Sequence, residues 1–386
     1  MTRIERPGDI PRADRSNWRE APFSRWGFSH TPQVIAAAPI APAADPRPLP
    51  EAPADLAGFS AKGMDGVMHD LASWLTATAT DAIVVLKDGK LVFEAYAEPC
   101  GPHQPHIFMS ATKSVTGLIL GLLASAGIVD IEAPVETYVP EVANGPYKGV
   151  SLRWMTDMRS AVPYDEARLA AYATASGWEP RDAVRADLKA FFASLEGPPA
   201  TPPSPFTYLS GNTDLLGIAL ERASGKTFSA LVEELIWRPM GAADTAFVTQ
   251  DEAGAPRCTG GFCATARDMA RLGLLVLEDG VRGRRQILPA AWLKDMREGG
   301  DREAWSTGQW EPAFQGRVTR YRSGWYINDG PPAMMFAMGV HGQNLFVDQG
   351  AGLVVAKLSS QAQFFDFPAD RLTHAGVAAL RGCLNR

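Results

Sequence analysis

Cysteine is scarce in this chain of 386 residues, which contains only Cys100, Cys258, Cys263 and Cys383. Four thiols in a chain of this length do not make a disulfide framework. Cys258 and Cys263 have four residues between them, but none of the six histidines lies at zinc-ligand spacing from this pair. We therefore expect a reduced, cytoplasmic protein with no metal and no cofactor.

Basic blocks and long hydrophobic runs are also missing. The 37 basic residues are outnumbered by 43 acidic ones, giving a net charge of −6, which disfavours nucleic-acid and anionic-membrane partners. The longest apolar runs, such as residues 115–126, fall short of the roughly 20 residues that span a bilayer. Residues 1–7 carry charges with no apolar stretch behind them, so a secretory signal is not expected.

What the sequence does contain is typical of a globular protein, with 46% hydrophobic and 21% charged residues. The length predicts two or three domains, or one large body with an inserted subdomain. Residues 1–55 hold a third of the 30 prolines, which favours an extended arm over long helices or central strands. Four aromatic residues in this arm could anchor it to a body: Trp18, Phe23, Trp26 and Phe28.

The order of predicted elements indicates the fold class. Residues 81–96 predict a β-hairpin that turns at Asp88-Gly89. We predict helices at 61–76, at 110–126, at 265–278 and from 368, and two strands at 343–348 and 352–358. Strands near both ends favour an α/β (α+β) fold, an antiparallel sheet flanked by helices. Residues 56–145 and 251–386 would form this α/β domain, and residues 146–250 a helical insert domain.

The sharpest local feature is the sequence Ser110-Ala111-Thr112-Lys113 at the start of a predicted helix. Ser110 and Lys113 then lie on one face, one turn apart. A serine hydroxyl needs a nearby base to become a good nucleophile, and a desolvated lysine can serve as that base. The alternative is an N-cap serine beside a solvated lysine, and a motif this short is weak evidence alone.

Two further segments carry polar groups that could contribute to a site. Residues 206–214 deliver Tyr208 to a helix start, although a capped helix entry explains the same residues. Residues 337–343 contain glycines that allow a substrate to approach strand-edge N–H groups, although a bulged loop entry explains them equally. Taken singly, both segments are better explained by structure than by function.

Taken together and in order, these motifs resemble those of class C β-lactamases, DD-peptidases and the related family VIII esterases and amidases. Within that superfamily the sequence is most similar to the nylon-oligomer amidases. The similar segments are 18–26, 28–30, 109–114, 138–141, 210–214, 265–268, 341–345 and 357–360. The resemblance implies a β-lactamase/transpeptidase-like fold and an ordered set of motifs far more specific than any one of them.

The resemblance also implies a catalytic apparatus. Ser110 would attack a carbonyl carbon, while Lys113 and Tyr208 share the general acid–base work. The backbone N–H groups of Ser110 and Val340 would form an oxyanion hole. The implied substrate-binding residues are Ser210, Asn212, Gly339, His341 and Trp178.

Two departures from the β-lactamase pattern bear on the substrate. Ser210 stands where class C β-lactamases carry asparagine, and residues 337–339 replace their Lys-Thr-Gly. The cation that would hold a β-lactam carboxylate is therefore missing, and His341 is the only nearby candidate. We expect poor cleavage of β-lactams.

The sequence thus predicts a serine hydrolase that cleaves linear amides or short esters through an acyl-enzyme. Alternatives are a carboxylesterase with little amidase activity, a penicillin-binding-like acyl-enzyme sensor, and a purely structural origin of all three motifs. The expected partner is a small-molecule amide or ester, and a homodimer is compatible with this prediction.

Overall fold

The computed structural model describes residues 2–179 and 187–385. Its strands are β1 (Thr2–Arg3), β2 (Ala37–Ile40), β3 (Ala61–Lys62), β4 (Met68–His69), β5 (Thr80–Lys87), β6 (Lys90–Tyr96), β7 (His106–Ile107), β8 (Ala246–Thr249), β9 (Phe262–Ala264), β10 (Val281–Arg282), β11 (Arg285–Gln286), β12 (Arg320–Arg322), β13 (Trp325–Asn328), β14 (Met334–Gly339), β15 (Gln343–Asp348) and β16 (Leu353–Ser359).

The α-helices of the described residues include several of only one turn. They are α1 (Ser24–Gly27), α2 (Thr31–Val34), α3 (Leu71–Ala77), α4 (Thr112–Ser125), α5 (Leu152–Thr156), α6 (Glu166–Ala175), α7 (Leu188–Ala193), α8 (Ser210–Ser224), α9 (Phe228–Val232), α10 (Arg238–Met240), α11 (Ala266–Leu277), α12 (Ala290–Glu298), α13 (Arg302–Ser306), α14 (Glu311–Phe314) and α15 (Phe367–Leu384). The 3₁₀ turns Met109–Ala111 and Val340–Gly342 matter for the site described below.

The central sheet is built from both ends of the chain, as the sequence predicts. Its eight strands follow the order β1-β6-β5-β16-β15-β14-β13-β12, and every neighbouring pair except β1 and β6 is antiparallel. The predicted hairpin is confirmed, since β5 and β6 pair from Lys87 opposite Lys90, with Asp88 and Gly89 both at positive φ. The α/β prediction is therefore correct.

Helices cover both faces of this sheet, and the alternation of side chains along β5 shows why. Val84 and Leu86 belong to the core on the side of α4 and α11, whereas Ile83 and Val85 belong to the core on the side of α3 and α15. Successive side chains of a strand point to opposite faces of the sheet. A strand made only of apolar residues therefore fits a sheet whose two faces are both covered by other elements.

The N-terminal arm is not fully extended, which corrects the prediction. It forms the short helices α1 and α2, and β2 joins a second sheet in the order β2-β8-β9-β7. The predicted aromatic anchors do dock, since Trp18 and Phe28 are completely buried. Buried aromatic surface stabilises an arm whose prolines prevent long regular elements.

The prediction of a helix over 61–76 is wrong in its first half. Residues 61–69 form a small hairpin of β3 and β4, and only Leu71–Ala77 is helical. Gly66 between the two strands adopts a φ of +83°, which a helix does not accommodate. The helix begins where Asp70 accepts a hydrogen bond from the backbone N–H of Ser73, a normal N-cap.

Helices α5–α10 lie between residues 146 and 250. At the end of this region, β8 pairs with β2 on one side and with β9 on the other. We propose that 146–250 is an insert domain on an α/β domain of residues 56–145 and 251–386, with the arm at 1–55. Within residues 2–179 and 187–385, none of the helices has the length and apolarity needed to cross a bilayer.

Candidate active site

Ser110 lies in the 3₁₀ turn that leads into α4, and Lys113 lies in the first turn of that helix. The Lys113 Nζ is 3.1 Å from the Ser110 Oγ, so the predicted pairing of the two side chains is present. Met109, directly before the serine, has a φ of +47°, a left-handed conformation that costs energy for a residue with a Cβ. Strain of this kind is commonly found where a fold fixes a reactive side chain.

The amine of Lys113 is buried among oxygen atoms. Besides Ser110, its Nζ donates to the carbonyl oxygen of Thr259 at 3.0 Å and approaches the Oγ of Ser210 at 3.4 Å. Burial lowers the pKa of Lys113 to about 7, while the charge of Asp214 opposes this fall and that of Arg257 adds to it. A large fraction of the lysine is then neutral near pH 7, as a general base requires.

Tyr208 closes the other side of the serine. Its ring stacks on Trp310 with 4.2 Å between centroids, and the Lys113 Nζ lies 4.7 Å from the centre of the tyrosine ring. Burial raises the pKa of Tyr208, and the neighbouring hydroxyls of Ser110 and Ser210 oppose that rise. Tyr208 consequently keeps its proton and is suited to donate it, while Lys113 is suited to accept one.

Strand β14 ends at Gly339, directly beside Ser110. A Cβ at Gly339 would lie 2.4 Å from the carbonyl oxygen of Phe108 and 2.9 Å from the backbone nitrogen of Ser110. Only a glycine therefore allows the strand end to approach the Ser110 amide this closely. The next residue, Val340, lines the same cavity as Ser110, so their two N–H groups are candidates for an oxyanion hole.

The cavity at Ser110 measures about 160 Å³. Its lining contains five of the residues predicted from the sequence: Ser110, Trp178, Ser210, Val340 and His341. Trp178 is held in place from two sides, because its Nε1 donates to the Thr249 Oγ1 at 3.0 Å and its ring packs edge-on against Trp18 at 5.3 Å. The docked arm thus supports a wall of this cavity.

The structure does not support the prediction that Asn212 binds substrate. Its side chain is fully buried and does not line the cavity. The Asn212 Oδ1 accepts from the Tyr147 hydroxyl at 3.1 Å, and its Nδ2 donates to the Ser160 Oγ at 3.0 Å. Asn212 lies two residues beyond Ser210 on α8, and a step of two residues on a helix turns the side chain away from the shared face.

His341 does line the cavity, but not as the cation considered from the sequence. Its Nδ1 lies 2.8 Å from the carbonyl oxygen of Gln361, an acceptor, and burial lowers the pKa of the imidazole below its ordinary value. The ring is packed between Phe28 and Phe364. A neutral histidine in this position cannot replace a lysine that pairs with a carboxylate.

A buried ionic cluster behind Lys113 was missed by sequence reasoning. Both Arg257 and the Tyr172 hydroxyl hydrogen-bond to the Asp214 Oδ2, and the Asp214 Oδ1 accepts from the backbone N–H of Thr259 at 2.9 Å. Because the Thr259 carbonyl accepts from Lys113, the carboxylate fixes the segment that positions Lys113. Asp214 follows Ser210 by one helical turn, the one signal available in the sequence, whereas Arg257 and Tyr172 arrive from distant segments.

A second pair of charges at the cavity was also missed. Arg19 of the arm and Glu179 form a salt bridge, and both line the cavity. The Arg19 guanidinium lies 5.9 Å from the centre of the Trp178 ring. Arg19 precedes Ser110 by more than 80 positions, so no motif in the sequence indicates that it lines the cavity.

Comparisons with known proteins agree with this geometry. The Beta-lactamase family model matches residues 41–379. The chain is 31% identical over 352 residues to the 6-aminohexanoate-dimer hydrolase of Paenarthrobacter ureafaciens, covering 89% of this chain and 87% of that protein. A Bacillus anthracis structure provisionally described as a 6-aminohexanoate-dimer hydrolase superposes with a TM-score of 0.83 at 27% identity, covering 95% of both chains.

A more distant structure shows how widely the fold is shared. A family VIII carboxylesterase aligns with a TM-score of 0.55 at 17% identity, covering 77% of this chain and 92% of that one. Its similarity concerns the fold alone, whereas the family model spans most of the present chain. With a Ser-x-x-Lys pair at the start of α4 and a family match over residues 41–379, this chain is an enzyme that belongs to the β-lactamase family of serine hydrolases.

Proposed function

We propose that this enzyme hydrolyses linear amides and short esters through an acyl-enzyme on Ser110. The observation that carries the proposal is the 3.1 Å contact between the Ser110 Oγ and the Lys113 Nζ, beside a cavity large enough for a small acyl group. A burial-lowered pKa of about 7 gives Lys113 the basicity that this role requires near neutral pH.

In acylation, neutral Lys113 accepts the Ser110 proton as the Oγ bonds to the substrate carbonyl carbon. The N–H groups of Ser110 and Val340 stabilise the negative oxygen of the tetrahedral intermediate. When the bond to the leaving group breaks, Tyr208 donates its proton to the departing nitrogen or oxygen, and protonated Lys113 returns a proton to Tyr208. Water then repeats these steps on the acyl-enzyme and releases the acid, leaving Ser110 protonated.

Several features support linear substrates over β-lactams. The strand end at 337–339 carries no lysine, and His341 is neutral where a β-lactam carboxylate would need a cation. Losing one charge-assisted hydrogen bond costs roughly 1.5–3 kcal/mol, or about ten- to a hundredfold in the rate constant. The relative named 6-aminohexanoate-dimer hydrolase makes the linear 6-aminohexanoate dimer the first amide to test.

Labelling tests the nucleophile. Incubation with a fluorophosphonate should add one label, which peptide mass mapping should locate to Ser110. The Ser110→Ala variant should remain unlabelled. An unlabelled Ser110 in a protein that still hydrolyses esters would refute the assignment.

A substrate panel tests the reaction class. We expect kcat/KM to fall in the order p-nitrophenyl butyrate, 6-aminohexanoate dimer, nitrocefin. A p-nitrophenoxide leaves more easily than an amine, and nitrocefin lacks a cation for its carboxylate. Ester turnover with an untouched dimer would make the protein a carboxylesterase. A stable acyl-enzyme without turnover would favour a sensor instead, and nitrocefin turnover as fast as that of the esters would contradict the specificity argument.

A further inference from the structure

Three phenylalanines that follow the last strand of the sheet are unusually exposed. Phe364 is 53% exposed, Phe365 37% and Phe367 48%. With Trp310, which contacts Phe365 at 5.7 Å between ring centroids, they form what we call the aromatic rim. A cluster of large exposed aromatic side chains commonly marks a surface that binds an apolar partner or ligand.

The aromatic rim is continuous with the catalytic cavity. Phe364 lines that cavity together with Ser110, its ring lies 5.6 Å from His341, and its carbonyl oxygen accepts from the His341 N–H at 3.2 Å. The ring of Phe365 lies 4.9 Å from that of Phe364. Trp310, at the other end of the rim, stacks on Tyr208. The rim therefore extends from the cavity that contains Ser110 to Tyr208, the proposed acid.

A second, smaller cavity of about 60 Å³ lies behind the aromatic rim. Six of its lining residues are apolar: Trp310, Ala313, Phe314, Met338, Phe365 and Phe367. Met338 directly precedes Gly339, so the strand end that supports the oxyanion hole also lines this cavity. The lining of this cavity thus includes the residue that directly precedes Gly339 in the sequence.

Three polar residues complete the lining: Arg317, Asp370 and His374. Burial lowers the pKa of His374 to about 3, which leaves the imidazole neutral. The Arg317 guanidinium donates to the carbonyl oxygens of Phe314 and Ala313 at 3.0 and 3.1 Å. Burial raises the pKa of Asp370 to about 6, so this carboxyl is also partly neutral near that pH.

The lining of the catalytic cavity is mixed in character. Arg19 and Glu179 line it as a salt-bridged pair, together with Trp178. Phe364 of the aromatic rim lines the same cavity. A substrate that contacts both the charged pair and the rim has a polar end and a hydrocarbon end.

We propose that the aromatic rim and the cavity behind it bind the hydrocarbon chain of the ester or amide substrate. The inference rests on the proposed function and adds the substrate class: molecules with an aliphatic segment next to the scissile bond that reaches the aromatic rim. Each buried methylene should raise kcat/KM by roughly fourfold, because burial of one CH₂ favours the complex by that factor.

Two series of esters measure this effect. One extends the acyl chain from p-nitrophenyl acetate to butyrate and hexanoate, and the other extends the alcohol from ethyl to butyl and hexyl acetate, followed by pH-stat. We expect kcat/KM to rise with chain length in one series, which identifies the side of the substrate that the rim binds. In Phe364→Ala and Phe365→Ala the loss relative to the unmodified enzyme should grow with chain length.

A matched control separates the rim from exposed apolar residues in general. Ile128 is 43% exposed and lines neither cavity, so Ile128→Ala should preserve the chain-length dependence. Calorimetry with butyrate, hexanoate and octanoate gives a second readout that does not need turnover. Binding should strengthen with chain length and weaken in the rim variants.

The outcomes distinguish this inference from the proposed function. A rate independent of chain length in both series, or a dependence that survives both rim substitutions, would overturn the inference while labelled Ser110 upholds the function. Chain-dependent carboxylate binding without labelling of Ser110 would uphold the rim and overturn the function. A rim variant that changes only the sedimentation of the protein would show that the rim binds a second copy of the chain, against the proposal.

Discussion

Two serine–lysine pairs among the described residues, each with a buried lysine, look alike as local chemistry. Lys113 lies 3.1 Å from the Ser110 Oγ, and Lys357 donates to the Ser359 Oγ at 2.5 Å. Burial lowers the pKa of both lysines from 10.5 to about 7. Judged by distance and basicity alone, both pairs qualify as a nucleophile with its base.

The two pairs differ in what surrounds them. Ser110 is half-buried and opens on a cavity, with Tyr208 and the end of β14 beside it. Lys357 and Ser359 are completely buried in β16, where Lys357 pairs with Ile83 and Asn344 of the neighbouring strands. A lowered pKa reports burial, whereas catalysis also requires access for the substrate and donors for the developing oxyanion.

Replacing each lysine by methionine should give the largest difference in kcat/KM between the two pairs. Lys113→Met should lower kcat/KM for p-nitrophenyl butyrate by about 10²–10⁴-fold, the usual contribution of a general base. Lys357→Met should leave it within about threefold, since Lys357 does not line the cavity at Ser110 and packing losses affect stability first. Steady-state kinetics on folded variants decide the matter. Equal losses would show that the two pairs are not functionally distinct.

The proposed oxyanion donors form the second difference between the two pairs. Gly339→Ala places a Cβ against the backbone of Phe108 and Ser110, so the strand end must move away from the nucleophile. We expect kcat/KM to fall by about a hundredfold, as misplacement of about 1 Å in an active site can cause. Gly350→Ala is the control, because a Cβ there meets only the Asp348 Oδ1 at 3.5 Å, an ordinary contact. Full activity of Gly339→Ala would remove the strand end from the mechanism.

The charged residues behind Lys113 allow the two pairs to be compared through the pH dependence of kcat/KM. The carboxylate of Asp214 raises the pKa of Lys113 and Arg257 lowers it. In Asp214→Asn the lysine loses the partner that favours its charged form, so the acidic limb of the kcat/KM profile should move to lower pH. Lys357→Met should leave that limb at the wild-type pH. A shift of the Asp214→Asn limb to higher pH would contradict this arrangement of charges.

The smallest expected effect concerns stability. Here the two lysines should contribute in the same way to the free energy of unfolding. Each lysine binds a proton below pH 10.5 in the unfolded chain but only below about pH 7 in the folded one. The free energy of unfolding should therefore rise with pH between these values, by up to about 1.4 kcal/mol per pH unit for each lysine.

Urea denaturation at pH 7, 8, 9 and 10 measures that slope. Lys357→Met should remove one of the two contributions and flatten the curve relative to the wild-type protein. Parallel curves for the variant and the wild-type protein would mean that Lys357 stays charged in the folded protein over this pH range.

Local periodicity explains the predictions that are confirmed. The pairing of Ser110 with Lys113 depends only on a spacing of three residues at a helix start, and the hairpin of β5 and β6 depends only on a two-residue turn. Asn212 lies outside the cavity lining for a related reason. It belongs to the same sequence motif as Ser210, but helical geometry turns its amide toward Tyr147 and Ser160.

The sequence by itself determined the α/β class, the start of α4 and the positions of Ser110, Lys113 and Tyr208, because these depend on short spacings and on the order of motifs. Only the tertiary structure decided which serine–lysine pair opens on a cavity, and that His341 is neutral. It also brought Arg19, Tyr172 and Arg257 to the site. Burial and charge pairing depend on residues far apart in the chain, and these set the pKa values and the access on which catalysis depends.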